Sequence, residues 1–219
     1  MKRTLGAIKS RFREFSTQFH LFCLAETSCV LLASLPVMAK EISSDIAIHA
    51  YHPKWVSSFA SCIDSVAREK KYLLMTEGLP TEKLKNFVTT MIEGQYPSYF
   101  AIHNNQVIGW CDIKRHSSKA LSHSGEVGMG VLRDFRGQGI GQLLLEKALD
   151  DAWAKGFAKV ELSVYTSNEA AVGLYKKIGF LEEGLLRRHA LIDGEYRDSY
   201  RMGMFNPKGV SVTEKGIRS

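Results

Sequence analysis

The stretch RGQGIG, Arg136–Gly141, places three glycines within five residues. Each glycine loses more conformational freedom on folding than another residue would, so the cluster indicates a backbone path or a close approach that side chains would prevent. An apolar strand pattern at 126–132 precedes it, and a helix pattern follows, with Leu144, Leu145 and Ala148 on its apolar face. The first N–H groups of such a helix are unpaired and lie at its positive end, which predicts an anion-binding loop.

Two common nucleotide-binding loops do not fit this stretch. A dinucleotide fingerprint requires its third glycine where Gln142 stands and an acidic residue after the next strand. A P-loop requires Lys-Ser or Lys-Thr after its last glycine, where Gln142-Leu143 follow Gly141. The sequence therefore predicts an anion-binding loop of another kind.

The rest of the chain alternates strand and helix patterns from about residue 45 to 205. Strands are predicted at 46–50, 99–103, 107–113, 126–132, 159–164, 185–192 and 195–205. Asn104-Asn105 and Asp193-Gly194 predict two hairpins. Thr81 is predicted to cap the second of four helices, and Thr166 with Glu169 forms a capping box for the fourth. The pattern predicts an α/β domain of the α+β kind.

Composition limits the possible partners. Of the 219 residues, 45% are hydrophobic and 24% charged, which is typical of a folded globular protein. The net charge is +6, but residues 1–37 carry five basic against two acidic residues, so the remainder has only a small excess. No basic stripe with interleaved aromatics follows, and we expect no nucleic-acid partner.

Cysteine spacing gives no indication of a metal site. Cys23, Cys29, Cys62 and Cys111 form no CxxC pair and have no histidines at zinc-ligand spacing. In a chain of this size we expect idle or buried thiols in a reducing compartment, and no bound metal.

Residues 1–40 differ from the rest, and three interpretations stay open. The basic start and broken apolar run ending near Val37 and Ala39 are typical of an export leader. A helical apolar spacing predicts a membrane-surface helix instead, through Ile8, Phe12, Phe15, Phe19 and Phe22. In the third interpretation translation starts at Met38, and residues 1–37 are not part of the protein. We expect a domain at 41–207, a tail at 208–219 and a cytoplasmic location, with export or membrane contact only if the extension is real.

Two motifs resemble those of the GNAT N-acetyltransferase superfamily. Arg136-x-x-Gly139-x-Gly141 after an apolar strand is similar to its Arg/Gln-x-x-Gly-x-Gly/Ala signature. Its second motif is matched by Asn168, Ala171, Leu174-Tyr175 and Ile178-Gly179-Phe180, with Gly173 departing from the usual good helix formers. The resemblance covers residues 46–205 and implies a single domain, with a mixed, mostly antiparallel sheet whose central strands splay, flanked by about four helices.

The resemblance implies acetyl-CoA as co-substrate. Backbone N–H groups of the glycine loop would hold the pyrophosphate, and the pantetheine arm would bond to strand backbone in the gap between splayed strands. The residues implied in coenzyme binding are Met129, Val131, Arg133, Arg136, Gly137, Gln138, Gly139, Ile140, Gly141, Gln142, Asn168 and Tyr175.

Catalytic roles follow from the same resemblance. Tyr175 matches a tyrosine near the coenzyme sulfur, where a phenol can protonate a departing thiolate. Alkylamines are protonated near neutral pH, so a base is needed, and Glu126 is the candidate. The alternatives are a core tyrosine and an ordinary strand carboxylate. The segment GEYRDSYRM is similar to bacterial members acting on small amines or ribosomal-protein N-termini, which makes Tyr196 and Asp198 candidates for amine binding.

Three functions stay open from the sequence. The first is acetyl transfer to a small-molecule amine, the second is transfer to a protein α-amino or lysine group, and the third is a non-catalytic acyl-CoA-binding domain. Glu126 and Tyr175 together favour an enzyme. The resemblance also allows a homodimer.

Overall fold

The computed structural model describes residues 45–209 as a seven-stranded sheet with four α-helices. The strands are β1 (Ile46–Ala50), β2 (Ser98–His103), β3 (Gln106–Arg115), β4 (Ser124–Val131), β5 (Lys159–Tyr165), β6 (Leu181–Ile192) and β7 (Glu195–Phe205). The α-helices are α1 (Val56–Arg68), α2 (Thr81–Glu93), α3 (Ile140–Ala154) and α4 (Glu169–Ile178). Our alternatives for residues 1–40, and the tail from 210 onwards, lie outside the described residues.

The sheet opens between its two central strands. The order is β1-β2-β3-β4-β5-β7-β6, and every neighbouring pair is antiparallel except β4 and β5. These parallel strands pair only from Ser124↔Lys159 to Glu126↔Glu161. Beyond that point β4 stays paired with β3 as far as Val131, and β5 stays paired with β7 as far as Tyr165. The predicted mixed sheet with splayed central strands is confirmed.

Helices cover both faces of this sheet. The side chains of α1 and α2 pack with β2 and β3 in an aromatic-rich cluster that contains Phe59, Phe100 and Trp110. On the opposite face, α3 and α4 pack against β5 in a cluster that contains Leu144, Leu162 and Phe180. Alternate residues of β4 face the α3 side, and the intervening ones face the α1 side.

Two predicted helix caps are wrong. The α2 helix begins at Thr81 itself, because Pro80 occupies the cap position and its carbonyl accepts the Leu84 N–H. The α4 helix is capped by Asn168, whose Oδ1 accepts the Ala171 N–H at 3.3 Å. Thr166 lies two residues before this cap, and its N–H extends the β5–β7 ladder by bonding to the Asp198 carbonyl at 3.0 Å.

Two features are absent from the described part of the chain, a membrane-spanning helix and a cluster of metal-ligating side chains. Between residues 45 and 209 no helix is both long and apolar enough to cross a bilayer. Over the same range no three His, Cys, Asp or Glu side chains converge as metal ligands would. Cys62 and Cys111 are buried free thiols.

Candidate active site

A cavity of about 1010 Å³ lies where β4 and β5 diverge. Its walls come from β4 and β5, from the glycine loop and the start of α3, and from α4. Two further segments contribute, the chain at 71–75 after α1 and the β6–β7 hairpin. The splay thus turns the middle of a sheet into a binding site open between two layers.

The glycine loop presents a row of backbone donors to this cavity. Gly137 and Gly139 have φ of 71° and 84°, in the left-handed region that other residues enter only with strain. The first backbone bond of α3 runs from the Leu143 N–H to the Gly139 carbonyl, at 3.0 Å. The N–H groups of residues 137–142 therefore have no acceptor among the described residues. At a helix N-terminus they form a site for an anion.

The Arg136 side chain supports the loop from behind. Its guanidinium pairs with the Glu69 carboxylate at 2.9 and 2.5 Å, and its Nε donates to the Val131 carbonyl at 2.8 Å. The guanidinium also lies 4.5 Å from the ring centroid of Tyr72. The hydrogen bond from Arg136 holds the pKa of Glu69 below its usual value. Because its own N–H bonds to the Arg133 carbonyl, Arg136 contributes to the site by fixing the loop.

The edge of β4 offers backbone groups inside the opening. Leu132 donates its N–H to the Ile108 carbonyl of β3 at 2.8 Å. Alternation along an antiparallel strand then directs the N–H and carbonyl groups of Met129 and Val131 away from β3, towards the gap. Their side chains pack in the α3 cluster. This edge has no strand partner beyond Glu126, although the Val131 carbonyl accepts from Arg136 Nε, so it can bond an extended amide-containing ligand as a further strand would.

Helix α4 brings two predicted residues to the cavity. Asn168 uses its Oδ1 in capping the helix, which leaves its side-chain N–H groups for other partners. Tyr175 is fixed by the helix end, where its carbonyl accepts the N–H groups of Gly179 and Phe180. Burial, together with nearby Cys111, raises the pKa of the Tyr175 hydroxyl. The phenol is therefore protonated at neutral pH.

Of the predicted coenzyme residues, ten line the cavity and two do not. Those lining it are Met129, Val131, Arg136, Gly137, Gly139, Ile140, Gly141, Gln142, Asn168 and Tyr175. Arg133 is exposed in a short 3₁₀ turn, Arg133–Phe135, and Gln138 donates its side chain to the Asp134 carbonyl at 3.0 Å.

Glu126 lies at the vertex of the opening, beside the cavity wall. It is the last residue of β4 that pairs with β5. Its carboxylate accepts from Arg201 at 2.8 Å, and the same guanidinium donates to the Ser163 hydroxyl at 3.1 Å. Ser163 lines the cavity, so Arg201 connects Glu126 with it.

The two predicted amine-binding residues lie outside the cavity lining. Tyr196 is 59% exposed, and its ring is covered by the Arg188 guanidinium at 5.1 Å. Asp198 accepts the Arg188 N–H at 2.7 Å. Neither is brought together with Tyr175.

Sequence reasoning missed a buried carboxyl next to the opening. Asp112 of β3 pairs with Gly128 of β4, and it accepts the Tyr51 hydroxyl at 3.0 Å. A Cβ atom at Gly128 would lie 3.2 Å from Asp112 Oδ1, so the glycine leaves room for the carboxyl. Burial raises the pKa of Asp112 to about 7, against the effect of the Tyr51 hydrogen bond. In the sequence, the sign of this buried carboxyl is the single acidic residue within the otherwise apolar run VIGWCDI.

Sequence reasoning also missed the polar residues on the far side of the cavity. Arg197, His189, Ser199 and Tyr165 line it from β5 and the β6–β7 hairpin. Only the strand register brings them together, so no local motif marks them.

Comparison with known proteins agrees with this geometry. The profile of the acetyltransferase (GNAT) family matches residues 64–180, just over half of the chain, and includes both the glycine loop and α4. The chain belongs to the acetyltransferase (GNAT) family. This independent comparison supports the motif resemblance, the fold expected from it and the acyltransferase class of this GNAT chain.

Individual GNAT relatives differ in the acceptors that their names give. The chain is 31% identical over 101 residues to the L-amino acid N-acetyltransferase AaaT of Escherichia coli, covering 45% of this chain and 62% of that protein. It is 42% identical over 74 residues to the N-alpha-acetyltransferase RimI of Mycobacterium tuberculosis, covering 34% and 44%. The matches thus span only part of these two curated relatives.

A solved structure shares the fold. That of yncA from Salmonella typhimurium, determined with its cofactor acetyl-CoA, superposes with a TM-score of 0.73 over 78% of this chain and 99% of that one. At 16% identity the likeness concerns the fold alone.

Proposed function

We propose that this GNAT protein is an acetyl-CoA-dependent N-acetyltransferase that acetylates the primary amine of a small molecule by direct attack in a ternary complex. The observation that carries the proposal is the opening between β4 and β5, with unpaired N–H donors at one end and Tyr175 in its wall. The N–H donors would bind an anion, and Tyr175 would supply a proton.

The described residues fit acetyl-CoA. Residues 137–142 offer backbone N–H groups for a pyrophosphate, and a Cβ atom at Gly137 would meet nothing within 4 Å, so the space beside the loop is open. Met129 and Val131 offer strand-edge backbone for the amides of pantetheine, and Asn168 offers side-chain N–H groups. When bound, acetyl-CoA would supply the acetyl group as a reactive thioester.

Tyr175 is the proposed general acid, and Glu126 the proposed proton acceptor. The buried phenol keeps its proton at neutral pH and can deliver it to the departing sulfur. Arg201 fixes the Glu126 carboxylate at the vertex and bonds to Ser163 in the cavity wall. A proton leaving the amine would reach Glu126 through this polar side of the opening.

The acceptor side favours a small molecule. The segment after α1 is tied across the cavity by a bond from the Tyr165 hydroxyl to the Leu73 carbonyl, at 3.2 Å. Lys70 and Asp193 join the same segment to the β6–β7 turn at 2.8 Å. These links narrow the groove that a peptide would need. The similarity to RimI supports a protein α-amine as the second candidate. A homodimer, a cytoplasmic location and the domain limits 41–207 stay predictions.

Acetyl-CoA binding and thiol release test this function. We expect acetyl-CoA to raise the melting temperature, and amines to release free thiol from it. Tyr175→Phe should lower kcat about 10²-fold, the lower range for a lost general acid, with little change in coenzyme affinity. Tyr200→Phe is the matched control, since this partly buried β7 tyrosine does not line the cavity.

Each failure has a distinct meaning. No thermal shift at large coenzyme excess contradicts the coenzyme site. A shift without thiol release from any amine or peptide leaves a non-catalytic acyl-CoA-binding domain. Thiol release with peptides alone would indicate a protein acceptor. An unchanged kcat in Tyr175→Phe would show that Tyr175 is not the general acid.

A further inference from the structure

Polar side chains form a cluster on the acceptor side of the cavity. Tyr165 of β5 pairs in register with Ser199 of β7, and Arg197 follows two residues away on the same face of that strand. The His189 ring bonds to the Ser199 hydroxyl at 2.9 Å. It can do so because the β6–β7 register shifts between Leu186 and Ala190. All four polar residues line the cavity.

Arg197 has a buried donor without an acceptor. Its Nη2 donates to Glu195 at 2.7 Å, and that carboxylate belongs to a side chain that is 69% exposed. Its Nε is buried and makes no hydrogen bond to any of residues 45–209. A buried donor left unpaired is unfavourable, because it has lost its hydrogen bonds to water. A carboxylate, whose two oxygens match the fork of a guanidinium, would satisfy it.

The charges around this cluster favour an anion. Lys71 and Arg197 line the cavity here, whereas the one acid in the described lining, Glu169, lies at the start of α4. The acids of the hairpin already have partners, since Asp193 pairs with Lys70 and Asp198 accepts the Arg188 N–H. A second ammonium on the acceptor would face the positive charges of Lys71 and Arg197, which is unfavourable.

Apolar side chains complete the acceptor side. Val66, Leu73 and Met75 line the cavity, and the Leu73 carbonyl accepts from Tyr165 of the cluster. An acceptor with an apolar group beside its charged group would bury that group here.

We propose that the acceptor is an amino acid, whose carboxylate Arg197 binds while its amine is presented to the opening. The inference rests on the proposed acetyl transfer and names the acceptor class for it. It assigns Arg197 a specificity role in place of the predicted Tyr196 and Asp198, which lie outside the cavity lining.

Four probes separate the charge of the acceptor from its shape. L-Leucine, L-leucinamide and 3-methylbutylamine share an apolar side chain and differ at the carboxylate, and spermidine represents a polycation. Thiol release is measured across pH, because the amines differ in their own pKa values. We expect kcat/KM for L-leucine to exceed that for the other three probes at least tenfold.

Variants assign the preference to one residue. Arg197→Gln should raise the KM for L-leucine at least tenfold, leave kcat within about threefold and remove the preference over L-leucinamide. Arg187→Gln makes the same charge change at an exposed residue outside the lining, and should change neither constant. Thermal shift by acetyl-CoA should be the same in both variants and in the wild type, which shows that they fold and bind coenzyme.

The outcomes separate the two proposals. Acetyl transfer with equal or better use of L-leucinamide, the alkylamine, spermidine or a peptide overturns the amino-acid acceptor and leaves the transfer chemistry intact. An unchanged KM in Arg197→Gln overturns the role of Arg197. No transfer to any probe or peptide overturns the proposed function, and the acceptor class with it.

Discussion

Asp112 shows how one buried side chain ties stability to pH. Its carboxyl is only 6% exposed and lies between the Tyr51 hydroxyl and the bare backbone of Gly128. Desolvation raises its pKa from 3.8 to about 7, while the Tyr51 hydrogen bond and the charge of Lys114 act in the opposite direction. The thiols of Cys111 and Cys62 are the other titratable groups near this pair.

The raised pKa predicts stability that falls with rising pH. Between about pH 4 and pH 7 the folded protein binds a proton at Asp112 that the unfolded chain has lost, so the free energy of unfolding decreases through this window. Asp112→Asn keeps an acceptor for Tyr51 and removes the charge. We expect the free energy of unfolding of the variant, relative to that of the wild type, to rise by at most about 4 kcal/mol between pH 5 and pH 8. Urea unfolding at the two pH values measures this difference.

A second Tyr–Asp pair provides the control for Asp112. The Tyr99 hydroxyl donates to Asp151 on α3 at 3.0 Å, and that carboxylate also pairs with Lys155 near the surface. We expect Asp151→Asn to lower the free energy of unfolding by a similar amount at pH 5 and at pH 8. If Asp112→Asn behaves in the same way, the carboxyl does not titrate as described.

At the level of elements, two glycines of the matched motifs have opposite roles. Gly139 caps α3 with φ 84°. Alanine there would lower the free energy of unfolding by about 1–2 kcal/mol and change the direction of the N–H groups of the loop. Gly173 is exposed inside α4, has no positive φ, and a Cβ atom there would meet nothing within 4 Å. Close helix packing therefore does not explain Gly173.

Alanine at each position gives a matched test of these roles. Gly139→Ala should destabilise the protein and weaken acetyl-CoA binding, whereas Gly173→Ala should stabilise it by up to about 1 kcal/mol with unchanged binding. Urea unfolding and coenzyme titration measure both effects. Equal coenzyme affinity in the two variants would show that the loop conformation does not determine binding.

The same elements show how far the sequence could be read. The glycine loop and the Asp193-Gly194 hairpin depend on local backbone geometry, and both form as predicted, with φ of 50° and 83° at the turn. The start of α4 was placed too early, because Thr166 is held by Asp198 from a strand more than thirty residues away. The Arg197 cluster depends on a register shift in β6–β7, which local periodicity does not reveal.

Across the whole molecule, the opening in the sheet needs contacts that bridge it. Beyond Glu126 no strand pairing joins β4 to β5. Three side-chain links hold the end of α1 and the segment after it, two of them to the far side of the opening and one to the glycine loop. They join Glu69 to Arg136, Lys70 to Asp193, and the Leu73 carbonyl to the Tyr165 hydroxyl.

The Arg136 link is the most strongly bonded of the three, and it predicts a specific loss. Lysine keeps the charge, but one ammonium cannot hold both Glu69 oxygens and the Val131 carbonyl at once. Arg136→Lys should lower the free energy of unfolding by about 1–3 kcal/mol at pH 7 and weaken acetyl-CoA binding. Arg68→Lys, in an exposed ion pair with Asp64 of the same helix, should leave the free energy of unfolding almost unchanged.

Acid supplies the second half of this test. The Arg136 bond lowers the pKa of Glu69 in the folded state below its ordinary 4.5, so the pair stabilises the protein above that value and stops doing so as pH falls through the folded pKa. The difference between wild type and Arg136→Lys should therefore shrink when urea unfolding is repeated near pH 3. A difference that persists there would come from the Val131 bond and the Tyr72 contact, because neither of them involves the Glu69 carboxylate.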